Sequence, residues 1–174
     1  MAKKSMPFVV LNAAVLTVSD TRTAENDTSG DLLQQRLEQA GHQVVERVLH
    51  RDDRAELRSL FERWISDPAI DIVIVTGGTG LTRRDVTPEA IHGLITKPIP
   101  GFGELFRMLS YDDIGTSTIQ SRAEAGVAEG TLIFLLPGST GACELAMDKI
   151  IIQQIDATYK PCNLTELLPR IRHE

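Results

Sequence analysis

Apolar residues alternate along this chain between short unbroken runs and helical stripes. The runs Ala13-Ala14-Val15-Leu16-Thr17-Val18, Val44 to Leu49, Ile70 to Val75 and Thr131-Leu132-Ile133-Phe134-Leu135-Leu136 read as strands, short and rich in β-branched and large apolar residues. Between the first two, Leu32, Leu33, Leu37 and Ala40 share one helical stripe, which Gly41 terminates. Leu57, Leu60, Phe61, Trp64 and Ile65 repeat at i, i+3, i+4, i+7 and i+8, the spacing of a helix laid on a sheet, so the lone tryptophan belongs to the core. Further helices are predicted over Phe102 to Leu109 and over Ala142 to Ala157. Strands alternating with helices predict a three-layer α/β/α fold, a mostly parallel sheet with helices on both faces. The expected boundaries are a flexible N-terminal segment over 1–12, a domain over 13–159, and an arm over 160–174 that docks on its own or a neighbouring subunit.

In open α/β sheets ligands bind outside the carboxyl ends of the strands, so chemistry is expected in the segments that follow each run. The third run is followed by Thr76-Gly77-Gly78-Thr79-Gly80, and then Arg83-Arg84-Asp85-Val86-Thr87-Pro88-Glu89-Ala90 opens a helix. Glycines let backbone N–H groups come close to a ligand, and a helix N-terminus adds positive partial charge, a combination that suits phosphate. It is neither familiar phosphate loop. Leu81-Thr82 stands where a Walker A loop needs Lys and a hydroxyl, and Arg83 stands where a dinucleotide fingerprint needs its third Gly. A plain structural turn is the alternative, and Asp85 tells against it. An acid beside a phosphate cradle repels the ligand unless a cation bridges the two, so phosphate with Mg²⁺ is the coherent reading.

Pro137-Gly138-Ser139-Thr140-Gly141 repeats the design after the last run, while Ser19-Asp20-Thr21 and Arg51-Asp52-Asp53 follow the first and second. Asp53-Arg54-Ala55-Glu56 fits a capping box, which gives Asp53 a structural task and leaves the Asp52 carboxylate free to face the crevice. Thr87, Pro88 and Glu89 similarly read as N-cap, first helical position and first-turn acid. Asp85 precedes that cap and can share a cavity with Asp52, and two carboxylates on one cavity can hold Mg²⁺ on a nucleotide phosphate. Arg107 and Arg122 could supply counter-charge.

A chain of 174 residues, 42% hydrophobic and 24% charged, has the size and composition of one domain with a substantial core. Its net charge of −6, with both signs interspersed, argues against nucleic-acid binding, so an anionic ligand must be held locally. Cys143 and Cys162 form no C-x-x-C pair and support neither a disulfide framework nor zinc, which implies a reducing compartment. His42, His50, His92 and His173 are too scattered for a helical metal site. Phe8-Val9-Val10-Leu11 stops at Asn12, short of a leader's apolar core, and no run reaches membrane-spanning length, so a cytoplasmic protein with no membrane partner is expected.

Taken together, Leu16-Thr17-Val18-Ser19-Asp20, Asp27-Thr28-Ser29-Gly30, Thr76-Gly77-Gly78-Thr79-Gly80, Arg84-Asp85-Val86-Thr87-Pro88-Glu89-Ala90, Pro100-Gly101-Phe102-Gly103-Glu104 and Pro137-Gly138-Ser139 resemble the MoaB/Mog family of molybdenum cofactor biosynthesis. The stretch Phe102 to Arg122 and Lys160-Pro161-Cys162-Asn163 resemble its MoaB branch. The resemblance implies a molybdopterin-binding fold assembled as a homotrimer or a hexamer, with other enzymes of the pathway as partners. It also implies an adenylyltransferase that moves AMP from Mg-ATP to the terminal phosphate of molybdopterin. Asp85 and Asp52 match the family's catalytic, metal-holding aspartates; the family writes the second as P-D-E, so Arg51-Asp52-Asp53 makes Asp53 an alternative match. Substrate contacts are implied at Ser19, Asp20, Gly77, Gly78, Thr79, Gly80, Glu104, Ser121, Gly138 and Ser139. Some MoaB-type sequences lose the R-D-x-T-P-E-A pattern; this one keeps it, which favours catalysis over a carrier or scaffold that only binds molybdopterin.

Overall fold

Three parallel strands carry the centre of the molecule: β1 (Asn12–Val18), β3 (Ile72–Thr76) and β6 (Thr131–Leu136). In the computed structural model, which describes residues 6–173, β2 (Gln43–His50) lies parallel on the outer side of β1. Two further strands, β4 (Lys97–Pro98) and β5 (Glu124–Ala128), close the opposite edge in antiparallel fashion, giving the order β2-β1-β3-β6-β5-β4.

Successive side chains on a strand point to opposite faces, and here both faces are roofed. Ala13, Val15, Ile72, Ile74, Leu132 and Phe134 pack with α1 (Thr28–Gln39), α4 (Pro100–Ile114) and the helical run after β6. Their neighbours Ala14, Leu16, Val73, Val75, Ile133 and Leu135 pack with α2 (Arg54–Ser66) and α3 (Thr87–Ile91). This double burial is why the central strands read as unbroken apolar runs rather than alternating ones. Trp64 is fully buried on α2, as its spacing predicts, and its indole N–H donates to Glu46 Oε2 at 2.8 Å. Burying such a side chain contributes about 2–3 kcal/mol.

β4 and β5 are absent from the sequence reading because Lys97-Pro98 and Glu124-Ala125-Gly126-Val127-Ala128 lack the bulk and branching of a strand. Gly126 looks like a breaker but is required, since a Cβ there would stand 2.5 Å from Ile95 Cγ2. The β5–β6 turn is Glu129-Gly130 with φ of 45° and 96°, the two positive values of a tight hairpin turn.

The expected helix over Ala142 to Ala157 is one helical path of three segments: α5 (Thr140–Ala146), a π-helical turn (Met147–Ile151) and α6 (Ile152–Ile155). The chain then returns to its own core through Leu168 of α7 (Leu168–His173), and Arg172 pairs with Asp71 at 2.7 Å and donates to Gly130 O at 3.2 Å. At the other end, Leu11 is buried and its N–H donates to His42 Nδ1 at 3.1 Å, so Val9 and Leu11 are packed where the sequence suggests flexibility over 1–12. Residues 1–5 of that segment lie outside the described residues.

Candidate functional site

β2 lies on one side of β1, whereas β3 and β6 continue the sheet on the other, so the order reverses between β1 and β3. The crevice at such a reversal is where open α/β sheets hold ligands. A cleft of about 760 Å³ opens there, lined by the segments after β1, β2, β3 and β6 together with Phe106, Ser110, Asp113 and Ser117 from α4 and its continuation.

The glycine loop enters this cleft in a backbone conformation that a side chain would not tolerate. Gly77 and Gly78 have φ of 96° and 64°, and a Cβ on Gly77 would press into Val18 O. Thr87 holds the loop: its hydroxyl donates to Gly77 O at 3.0 Å and its N–H to Gly78 O at 3.0 Å. The sequence reading of Thr87 as N-cap is therefore corrected. Thr87 is already helical and fully buried, Val86 occupies the cap, and no side chain caps α3.

Asp52 and Asp85 line the same cleft and act electrostatically on each other. Asp52 Oδ1 is buried with no hydrogen-bond partner among the described residues, and it would stand 2.7 Å from a Cβ on Gly78. Burial, and then repulsion from Asp20 and Asp85, pushes the Asp52 carboxyl above the usual carboxylate range. Asp85 behaves oppositely. Burial opposes its ionisation, but Thr82 donates to Asp85 Oδ2 through its N–H at 2.9 Å and its hydroxyl at 2.6 Å, and these bonds hold Asp85 below the ordinary value. Asp20 is held low chiefly by its ion pair with Arg84, which spans from the glycine-loop side to the loop after β1. Asp53 is separated from this chemistry by its cap: its Oδ1 accepts from Ala55 N at 2.9 Å and Glu56 N at 3.0 Å. Glu56 does not close the predicted capping box and turns to His50 Nε2 at 3.2 Å.

Hard oxygen ligands such as Asp52 and Asp85 suit a divalent cation, and Asp52 Oδ1 has no hydrogen-bond partner among the described residues. Among the described residues no group of three or more His, Cys, Asp or Glu side chains is arranged to hold a metal alone.

Residues 14–157 match the family described as probable molybdopterin binding domain. The chain is 48% identical over 163 residues to molybdenum cofactor biosynthesis protein B of Escherichia coli (strain K12), covering 94% of this chain and 96% of that protein. A crystal structure of a molybdenum cofactor biosynthesis protein B superposes with a TM-score of 0.85 at 39% identity, over 95% of this chain and 98% of that one. The tungsten cofactor synthesizing protein MoaB from Pyrococcus furiosus superposes at 0.77 and 34% identity, over 94% of this chain and 98% of that one. The chain belongs to the MoaB/Mog family.

In this MoaB/Mog chain Ser19, Asp20, Gly77, Gly78, Thr79, Gly80, Ser121, Gly138 and Ser139 all line the cleft with Asp52 and Asp85. Glu104 does not. It is exposed on α4 and borders a neighbouring hollow with His92, Arg107 and Arg122, because the turn of α4 that faces the cleft is the one carrying Phe106 and Ser110. Neither arginine put forward as counter-charge is free: Arg107 donates to Ala123 O at 3.1 Å, and Arg122 pairs with Glu89 while donating to Thr79 O at 3.0 Å. Ser139 caps α5, its Oγ accepting from Ala142 N at 3.3 Å.

Sequence reasoning missed Arg22 and the role of Asp27. Asp27 is buried at 1% exposure, caps α1 through Gly30 N at 3.0 Å, and binds the Thr17 hydroxyl at 2.8 Å, Arg47 at 2.8 Å and Arg22 at 3.3 Å. An acid three residues before a glycine inside a turn-rich stretch was the available signal, and a cap alone would have explained it.

Among the described residues no helix is long and apolar enough to cross a membrane.

Proposed function

We propose that this chain acts in molybdenum cofactor biosynthesis as a molybdopterin adenylyltransferase, with Mg-ATP and molybdopterin as substrates. The observation that carries the reading is Asp52 Oδ1, a buried carboxylate oxygen without a hydrogen-bond partner among the described residues, which faces a phosphate-type glycine loop and a second acid, Asp85. The names of the relatives support the pathway, and the family description supports molybdopterin as ligand.

Asp52 and Asp85 would hold Mg²⁺, which when bound supplies charge neutralisation on the ATP phosphates. Thr82 fixes the Asp85 carboxylate before substrate arrives, so little reorganisation remains. Gly77 and Gly78 let phosphate oxygens approach the backbone. An oxygen of the molybdopterin phosphate forms the new bond to the α-phosphorus, and the bond from that phosphorus to the pyrophosphate oxygen breaks. The attacking phosphate is already ionised, so neither aspartate serves as a general base, and alignment within the cleft is the protein's main contribution. The same reading takes a homo-oligomer, trimer or hexamer, as the working form; Met108, Tyr111, Ile114 and Ile119, exposed on α4 and the turn after it, support it.

The test is pyrophosphate release from protein, molybdopterin and Mg-ATP. Asp85→Asn should bind molybdopterin nearly as well as the wild type while transfer falls by orders of magnitude; unchanged transfer defeats the assignment. Molybdopterin binding without any pyrophosphate would instead make the chain a carrier or scaffold.

A further inference from the structure

Asp85 is braced first from within its own loop. Thr82 donates to its carboxylate through N–H and hydroxyl, and a Cβ on Gly80 would stand 2.8 Å from Asp85 Oδ2, so residues 80–85 close into one unit. Bonds internal to a loop set its shape but not its place on the sheet. Among the described residues, hydrogen bonds tie residues 79–85 to more distant parts of the chain through two side chains, Arg84 and Arg122. Arg84 pairs with Asp20 but its side chain is 68% exposed, so that tie holds weakly.

Arg122 is the firmer tie. Its Nε donates to Thr79 O at 3.0 Å and its Nη2 to Asp85 O at 3.3 Å, so one planar guanidinium joins the two ends of the loop. Its Nη1 pairs with Glu89 on α3, which sets the rotation of the fork. The sheet delivers Arg122 to this place. β5 runs antiparallel to β6, with Glu124 beside Leu135, so the residues just ahead of β5 emerge at the carboxyl end of the parallel strands, where the glycine loop begins. Arg122 acts from behind, because it borders the hollow shared with His92 and Arg107 and does not line the cleft.

We infer that Arg122 is a positioning residue that holds Asp85 in place on the cleft it shares with Asp52, so that both carboxylates can serve one divalent cation on the nucleotide, and that Glu89 acts through Arg122. This deepens the adenylyltransferase reading and rests on it for the cation. Neither Arg122 nor Glu89 touches substrate.

Mn²⁺-ATP serves as the probe, since water proton relaxation reports the protein-bound metal without turnover. It is titrated without molybdopterin, and molybdopterin is titrated without metal, into wild type, Arg122→Gln, Arg122→Lys, Glu89→Gln and the Arg122→Gln/Glu89→Gln double variant, with circular dichroism confirming the fold. Arg122→Gln should weaken Mn²⁺-ATP roughly tenfold to a hundredfold, as loss of a group that orients a metal ligand ordinarily does, and leave metal-free molybdopterin within about twofold. Arg122→Lys keeps the charge but cannot span both carbonyls, so it should recover only part of the loss. Glu89→Gln should lose less with the same selectivity, and the double variant should be no weaker than Arg122→Gln alone.

Wild-type affinity for Mn²⁺-ATP in Arg122→Gln overturns the inference, as do an equal loss for molybdopterin, full recovery in Arg122→Lys, or losses that add in the double variant. Should Arg122→Gln fail to fold, Glu89→Gln carries the test, and unchanged Mn²⁺-ATP affinity there overturns the inference. Wild-type protein that binds no Mn²⁺-ATP overturns it together with the metal assignment, whereas bound Mn²⁺-ATP without pyrophosphate release on adding molybdopterin sinks only the transfer reading.

Discussion

Replacing Asp27 by Ala should destabilise the fold more than its single side chain suggests. The substitution removes the N-cap of α1, which costs about 1 kcal/mol. It leaves the buried Thr17 hydroxyl without its partner, another ~1 kcal/mol. It also unpairs Arg22 and Arg47, whose side chains are 25% and 26% exposed, so each lost pair is worth only about 1 kcal/mol. The expected loss is about 4 kcal/mol, a large share of the roughly 5–15 kcal/mol by which domains are stable. For a chain of this length that corresponds to a fall in melting temperature of roughly 8–16 °C. Asp27→Asn keeps an acceptor for Gly30 N and Thr17 and should lose about half as much. Urea denaturation at fixed protein concentration measures both. A loss below about 1.5 kcal/mol for Asp27→Ala, or equal losses for the two variants, would refute the idea that charge and cap act together here. The pH dependence gives a second check. Despite burial, the hydrogen bond from Arg47, with those from Gly30 and Thr17, keeps the Asp27 carboxyl below its ordinary 3.8. A depressed acid contributes its stability above the unfolded-state value and loses it as pH falls through the folded one, so the gap between wild type and Asp27→Ala should be full at neutral pH and shrink only below about pH 4.

Asp52 carries the opposite sign. Burial and its acidic neighbours raise its folded-state value, so ionised Asp52 costs stability at neutral pH, and Asp52→Asn should melt higher than wild type at pH 7, lose that advantage in acid, and fail in AMP transfer. A lower melting temperature at pH 7 would show that the carboxylate is satisfied in solution. Gly77→Ala combines a positive φ with a Cβ driven into Val18 O and should cost at least ~3 kcal/mol, read as a lowered urea midpoint; a near-neutral result would mean the loop repacks. Arg172→Ala removes the pair to Asp71 and the bond to Gly130 O, costing about 1–2 kcal/mol, and should speed proteolysis within residues 160–173 while the core remains resistant.

The sheet of β1, β3 and β6 and the helices α1 and α2 were legible in the residues because burial on two faces or on one stripe writes itself into local periodicity. Val73 and Trp64 are predictable from their neighbours in sequence alone. So was the glycine loop, whose conformation forbids other residues at Gly77 and Gly78. The acids of the cleft could be named, and the spare carboxylate at Asp52 separated from the cap at Asp53, because capping is a local pattern. What only the tertiary structure decided involves partners far apart in the chain. β5 exists through pairing with β6, and β4 through pairing with β5, rather than through their own composition, Thr87 serves the glycine loop rather than its helix, and Glu104 borders a neighbouring hollow rather than the cleft. The aim of Arg22 is the clearest case, since it depends on Gly138 lying 116 residues away. Local spacing fixes which residues are buried and which turns are forced, whereas the direction of an exposed polar side chain is set by whatever the fold brings beside it.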